Sequence, residues 1–208
     1  MTPDHDREGI GAPRLHSVRD ITVGQPTRVD GPIHLSPADP RWPAVFAEEG
    51  RHLRKALGTR ALRIEHVGST SVPGLAAKPI IDVLVAVEDS SVEPAYVPPL
   101  EAAGYVLRIR EPDWYEHRVL KGPAKGPALD SNVHVFSEGC EEIERMLRFR
   151  DRLRSDADDR ELYEQAKREL AARRWTYVQD YADAKSAVVE RILRRVPTAP
   201  PTTLRRKD

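Results

Sequence analysis

Apolar residues recur first at helical spacing, then at strand spacing, then at helical spacing again, and that order frames the chain. Trp42, Val45, Phe46, Leu53 and Leu57 fall on one helical face that should pack on a sheet. Just ahead, Ser36-Pro37-Ala38-Asp39 has the form of a helix start, a hydroxyl cap followed by proline and an acid. Ile33 to Leu35 reads as a short strand, and Ala61 to Val67 as another. Ile80 to Val87 is nearly continuous in Ile, Val and Leu, as a strand buried on both faces should be, with Asp82 its only charge. Pro94, Pro98 and Pro99 confine any helix between Ser91 and Gly104 to a short piece. Tyr105 to Arg110 and Trp114 to Leu120 predict two strands around a turn at Glu111-Pro112-Asp113. Lys121 to Ser131 predicts a loop, and Asn132 to Phe136 a short alternating strand.

Three helical stripes follow. The first holds Ile143, Met146, Leu147 and Leu153; the second Leu162, Tyr163, Ala166 and Leu170; the third Val178, Tyr181, Lys185, Val189 and Ile192. A break at Ser155-Asp156 divides the first two, and Lys185 is the polar exception on the third. Residues 1–32 lack periodicity and predict a flexible extension, and the proline-rich 196–208 a disordered tail, leaving one domain over 33–195. Helix, mixed strands and a closing run of helices predict the α+β class, a small mixed β-sheet flanked by helices with a C-terminal helical segment.

Composition narrows the function. The 33 basic and 33 acidic residues cancel, which argues against wholesale nucleic-acid wrapping but leaves room for a local basic pocket. No apolar run is long enough to span a bilayer, the first residues lack a signal-peptide core, and the single Cys140 fits a reducing compartment, so a cytoplasmic protein is expected.

Candidate chemistry concentrates between Glu65 and Val85. Gly68-Ser69-Thr70-Ser71 is a tight hydroxyl-rich turn between two strands, followed by a short helix carrying Pro73. Such a turn can present N–H groups to an anion, although small polar residues also make turns with no ligand. Asp82 is a carboxylate inside an apolar strand, costly unless paired or metal-bound. It reads as a metal ligand or general base, or as a partner of Lys78. Lys78, held extended by Pro79, can reach a phosphate or neutralise Asp82. His66 ends the strand before the turn, and His134 alternates with Val133 and Val135, so it faces away from them.

Arg108, Arg110, Arg118 and Lys121 alternate along the expected hairpin, guarding an edge strand or lining the cleft for triphosphate or a carboxylated substrate. His117 reads as marking a solvent face, with Glu65 and Glu116 as spare acids. Arg150, Asp151 and Arg154 lie on a charge-dense helix. Lys185, one turn from Tyr181 on an apolar stripe, needs an acid partner, and Asp82 or Asp151 would serve.

The run His66, Gly68, Ser69, Thr70, Val72, Pro73, Gly74, Leu75, Lys78, Pro79, Asp82 resembles the signature of the GrpB family. Asp39-Pro40-Arg41-Trp42 with Phe46, Asn132 to Val135, Phe149 to Arg154, and the pairs Tyr163–Lys167 and Tyr181–Lys185 extend the resemblance over about 33 to 195. It implies the nucleotidyltransferase superfold, in which a Gly-Ser turn holds a nucleoside triphosphate and strand carboxylates bind divalent metal, Mg²⁺ or Mn²⁺. Gly68 and Ser69 match that turn and Asp82 the first acid. Leu84 stands where the second acid would be, and the late-strand position is His134.

A His66, Asp82, His134 set implies either a softer metal, with Asp82 and His134 as ligands, or an acid–base pair without metal. Family members fused to dephospho-coenzyme A kinase imply a coenzyme-A-related context. The resemblance thus implies a phosphate-bearing small-molecule ligand and metal-dependent nucleotidyl transfer. The alternatives are a non-catalytic nucleotide or metabolite-binding module and a partner-docking module.

Overall fold

The structure, a computed structural model, describes residues 17–122 and 130–195. The elements are α1 Val18–Ile21, β1 Arg28–Gly31, α2 Trp42–Leu57, β2 Arg63–Val67, β3 Ile80–Val87, α3 Val97–Ala102, β4 Val106–Glu111, β5 His117–Lys121, β6 Asp130–Ser137, α4 Glu141–Ser155, α5 Ala157–Ala171, β7 Trp175–Tyr177, α6 Val178–Asp183 and α7 Ser186–Leu193. Five strands form one mixed sheet in the order β2-β3-β6-β5-β4, parallel only between β3 and β6. This is the α+β class, a small mixed sheet flanked by helices.

β3 and β6 form the sheet's centre because both are apolar on the face that α2 covers. Ile81, Val83, Val85, Val133 and Val135 pack there with Leu53 and Leu57 of α2 and Leu100 of α3. The opposite face is mixed. Leu84, Ala86 and Phe136 pack under Ile143 and Leu147 of α4, while Asp82, Asn132, His134 and His117 continue the same face as polar positions. α4, α5 and α7 close over Val72 and Leu75 after the turn, through Leu153, Tyr163 and Ile192 respectively.

Several boundaries differ from the sequence reading. Ser36 exchanges backbone hydrogen bonds with Ala77 (2.8 and 3.0 Å), which holds it extended, so α2 starts six residues later with Pro43 in its first turn. Ile33 to Leu35 is not a strand. The third helical stripe is broken between α6 and α7, and it is preceded by β7, which pairs with β1. Residues 17–32, read as part of a loose extension, carry α1 and β1; residues 1–16, 123–129 and 196–208 lie outside the described residues. Among the described residues no helix is long and apolar enough to cross a membrane.

Candidate functional site

The link from β2 to β3 is built around Gly68, whose φ of 67° and ψ of −172° lie where only glycine is at ease. A Cβ at Gly68 would stand 2.3 Å from Asp82 Oδ2, so the aspartate carboxylate rests directly on the turn. The turn itself is a single 3₁₀ turn, Ser69–Ser71, and the short helix expected after it at Pro73 does not form. Its hydroxyls mostly fold inward: Ser71 Oγ donates to Gly68 O (2.6 Å) and Thr70 Oγ1 to Ile80 O (3.2 Å). The Ser69 hydroxyl instead acts on the Tyr163 hydroxyl and favours its ionised form. From α4, Arg154 donates twice to Ser71 O (3.0 and 2.9 Å), and Arg150 to His66 O (3.1 Å) and Glu65 Oε2 (2.9 Å). The charge-dense helix face thus clamps the turn.

Asp82 keeps 28% of its side chain exposed. Asn132 Nδ2, its neighbour on β6, donates to Oδ1 (3.0 Å), and His134 Nε2 lies 3.7 Å from the same oxygen. Burial pushes the Asp82 pKa up, but the imidazolium form of His134, the Asn132 amide and the Lys78 charge outweigh it, and the net shift is downward. Asp82 is therefore an anion at neutral pH.

Around this carboxylate stand lysines. Nζ of Lys185 sits 4.8 Å above the Tyr181 ring and that of Lys78 5.7 Å from the same ring. Both feel the attraction of Asp82, and Lys185 that of Asp183 as well. Burial and the neighbouring Lys185 charge lower Lys78 to about 8. Burial lowers Lys185 as well. Beneath them Lys167, only 1% exposed, donates to Ala76 O and lies 5.0 Å from the Tyr163 ring. Burial and repulsion by Lys185 lower it to about 7. Two partly buried ammonium groups share Asp82, Lys185 is also drawn to Asp183 and Lys167 to Glu164, and an anionic ligand at the turn would add negative charge beside Lys78 and Lys185.

The structure thus brings together Gly68, Ser69, Lys78, Asp82, His134 and Lys185, while Thr70 and Ser71 serve the turn itself. Two other candidates stand elsewhere. His66 lies on the α2 face, its ring stacked on Phe46 at 4.6 Å with planes 8° apart. Its Nε2 is 3.1 Å from Thr70 Oγ1; because that hydroxyl donates to Ile80 O, His66 must be the donor. Burial drives its pKa down to about 4, so it is a neutral support of the turn. Arg118 points to the side of Glu93, donating to Glu93 Oε1 (2.6 Å) and Glu116 Oε2 (3.1 Å), and does not line the site. His117, read as solvent-facing, is 3% exposed. Lys167, Tyr163 and Asn132 join the neighbourhood although none was read as a binding residue; the Tyr163–Lys167 pairing, one helical turn apart, was the available signal.

The two-ion arrangement that the resemblance implies does not fit these residues. Leu84 is fully buried beside Phe136 and Ile143, and among the described residues no three His, Cys, Asp or Glu side chains are grouped to hold a metal. Leu84→Asp should not create a second ligand: placing a carboxylate in that apolar cluster is expected to cost at least about 3 kcal/mol, read by urea unfolding. An unchanged midpoint would mean that the position is open to the site.

Fold and site together define a class: α+β proteins whose single mixed sheet presents a Gly-Ser turn and, on the next strand, an acid set among lysines. The GrpB protein family matches residues 32–195, and the chain belongs to that family. It is 55% identical over 195 residues to UPF0157 protein BH1888 of Halalkalibacterium halodurans, covering 94% of this chain and 98% of that one. The crystal structure of the conserved protein GrpB from Enterococcus faecalis is similar at a TM-score of 0.63 and 32% identity, over 78% of this chain and 96% of that chain. A dephospho-CoA kinase of Mycolicibacterium paratuberculosis is 34% identical over 167 residues; the match takes in 68% of this chain but only 40% of the kinase.

Proposed function

We propose that this GrpB-family protein binds a nucleotide or another phosphate-bearing small molecule over the Gly68–Ser71 turn, with Lys78 and Lys185 pairing the phosphate oxygens. The supporting observation is the pair of lysines that converge on Tyr181 and share Asp82 as their common carboxylate. Ammonium groups suit phosphate as point charges and hold it without a preset geometry. Asp82 and His134 stand beside that cradle as the groups able to move a proton in nucleotidyl transfer. The apolar, buried Leu84 favours the second reading, in which the fold keeps an anion cradle and binds its ligand without two-ion catalysis.

The test is thermal stability of the intact protein with the four nucleoside triphosphates, inorganic triphosphate, inorganic phosphate and dephospho-coenzyme A, each with and without Mg²⁺ or Mn²⁺. The last compound enters because of the kinase relative. A ligand at one hundred times its Kd adds about 2.7 kcal/mol. We expect triphosphates to raise Tm and monophosphate to do so far less. A shift that needs the metal, together with turnover, supports transfer; a shift without turnover supports binding alone. Absence of any shift across the panel contradicts both.

A further inference from the structure

On the polar face of the sheet, four side chains run diagonally across β4, β5, β6 and β3. Glu111 Oε2 is 2.7 Å from His117 Nδ1, and both side chains are at most 4% exposed. His117 Nε2 is 3.1 Å from His134 Nδ1. Those two rings are 7° from parallel with centroids 5.3 Å apart, which together with the short N···N distance places them edge to edge in nearly one plane. His134 Nε2 then faces Asp82 Oδ1 at 3.7 Å. His117 is locked in place: its ring stacks on Phe136 at 4.5 Å and meets the Trp114 ring edge-on at 5.1 Å.

The hydrogens along this chain follow from the buried end. The Glu111 carboxylate accepts, so His117 carries its proton on Nδ1. With the His117 ring neutral, as the inference below requires, its Nε2 is a lone pair and accepts from His134 Nδ1–H. His134 in turn is left with a lone pair on Nε2. That lone pair and Asp82 Oδ1 face each other at 3.7 Å, too far for a direct hydrogen bond and both acceptors. A hydrogen-bearing group between them would satisfy both.

We infer that Glu111 and His117 are positioning residues that hold His134 in its Nδ1–H tautomer, so that His134 Nε2 serves as a proton acceptor for a hydroxyl group or water beside the phosphate cradle. On transfer the O–H bond breaks and an N–H bond forms at Nε2. The resulting imidazolium lies between the Asp82 carboxylate and His117 Nε2, and Glu111 balances charge at the far end. A carboxylate orienting a histidine through its other nitrogen is a common supporting arrangement; here a second histidine lies between them. The acceptor role rests on the proposed phosphate site, whereas the tautomer does not, so the two fail separately.

The experiment is nitrogen-15 NMR of the histidine side chains in the full chain without ligand, at about pH 8.5, where an unperturbed imidazole is neutral. His134 is assigned by its loss in His134→Gln. The wild type should show protonated Nδ1 and bare Nε2 at His134. In His117→Phe, which keeps a ring against Trp114 and Phe136, the His134 proton should move to Nε2, where Asp82 can take it as an acceptor. Glu111→Gln should shift the same signals in the same direction while keeping the buried contact. Nε2–H at His134 in the wild type overturns the inference, as does an unchanged tautomer in a folded His117→Phe protein.

Discussion

Gly68→Ala is expected to destabilise the protein by about 3 kcal/mol or more. The backbone at this position is nearly closed to a residue with a side chain, a strain of roughly 1–3 kcal/mol. The new methyl would also lie 2.3 Å from Asp82 Oδ2 and 2.9 Å from Asp82 Cβ, against a strand that cannot retreat because β2 and β6 flank it. Overpacking of that kind adds about 1–3 kcal/mol. The two terms separate in a double-mutant cycle. Asp82→Ala removes the carboxylate oxygens but leaves Cβ, so the cost of Gly68→Ala should fall by about 1 kcal/mol in that background. Equal costs in both backgrounds, read from denaturant midpoints, would show that the carboxylate does not press on the turn.

Lys185→Met should do the opposite to stability and remove ligand binding. The ammonium is partly buried near Lys78 and Lys167, so exchanging it for an uncharged chain of similar length should stabilise the free protein by about 1 kcal/mol. The sign with pH follows. Lys78 at about 8 and Lys167 at about 7 titrate below the unfolded value of 10.5, so above those values the unfolded chain holds more protons. Their burden is full in acid and is relieved as pH rises. Wild-type stability should therefore climb from about pH 7 to about pH 9.5 on this account.

Beyond that range buried tyrosines reverse the slope, because Tyr163 is pushed up to about 12 and stays protonated in the fold after the unfolded chain has lost its protons. With Lys185→Met the repulsion that Lys185 exerts on Lys78 and Lys167 is gone, and the climb should be shallower. A less stable variant, or one that still binds triphosphate with wild-type affinity, would remove Lys185 from the cradle.

Much of the scaffold was legible because its signals are local. The apolar run Ile80 to Val87 is β3 residue for residue, and the single charge within it, Asp82, reaches the turn. The strand alternation that set His134 against Val133 and Val135 also holds: both valines are fully buried on the α2 face. What was not legible depends on partners distant in sequence. The Ser36 motif looked like a helix cap, but its backbone is drawn into a bridge with Ala77, and Asp39 is engaged by Arg41. β7 is three residues long and exists through pairing with β1.

At the site, period alone could not show that His66 turns to the face opposite Asp82 and is consumed by Thr70, or that Arg118 is claimed by Glu93. His117 beside an arginine looked solvated; Trp114, Phe136 and Glu111 bury it. Lys167 gave the least local sign, since only the fold places it under Lys185.

The most direct measurement is a crystal structure of the wild-type protein grown with inorganic triphosphate. Phosphate oxygens within hydrogen-bonding distance of Lys78 and Lys185, above Ser69 and beside Asp82, are the predicted result. Triphosphate bound elsewhere, with Lys78 and Lys185 still at the Tyr181 ring and touching no phosphate oxygen, would contradict the account.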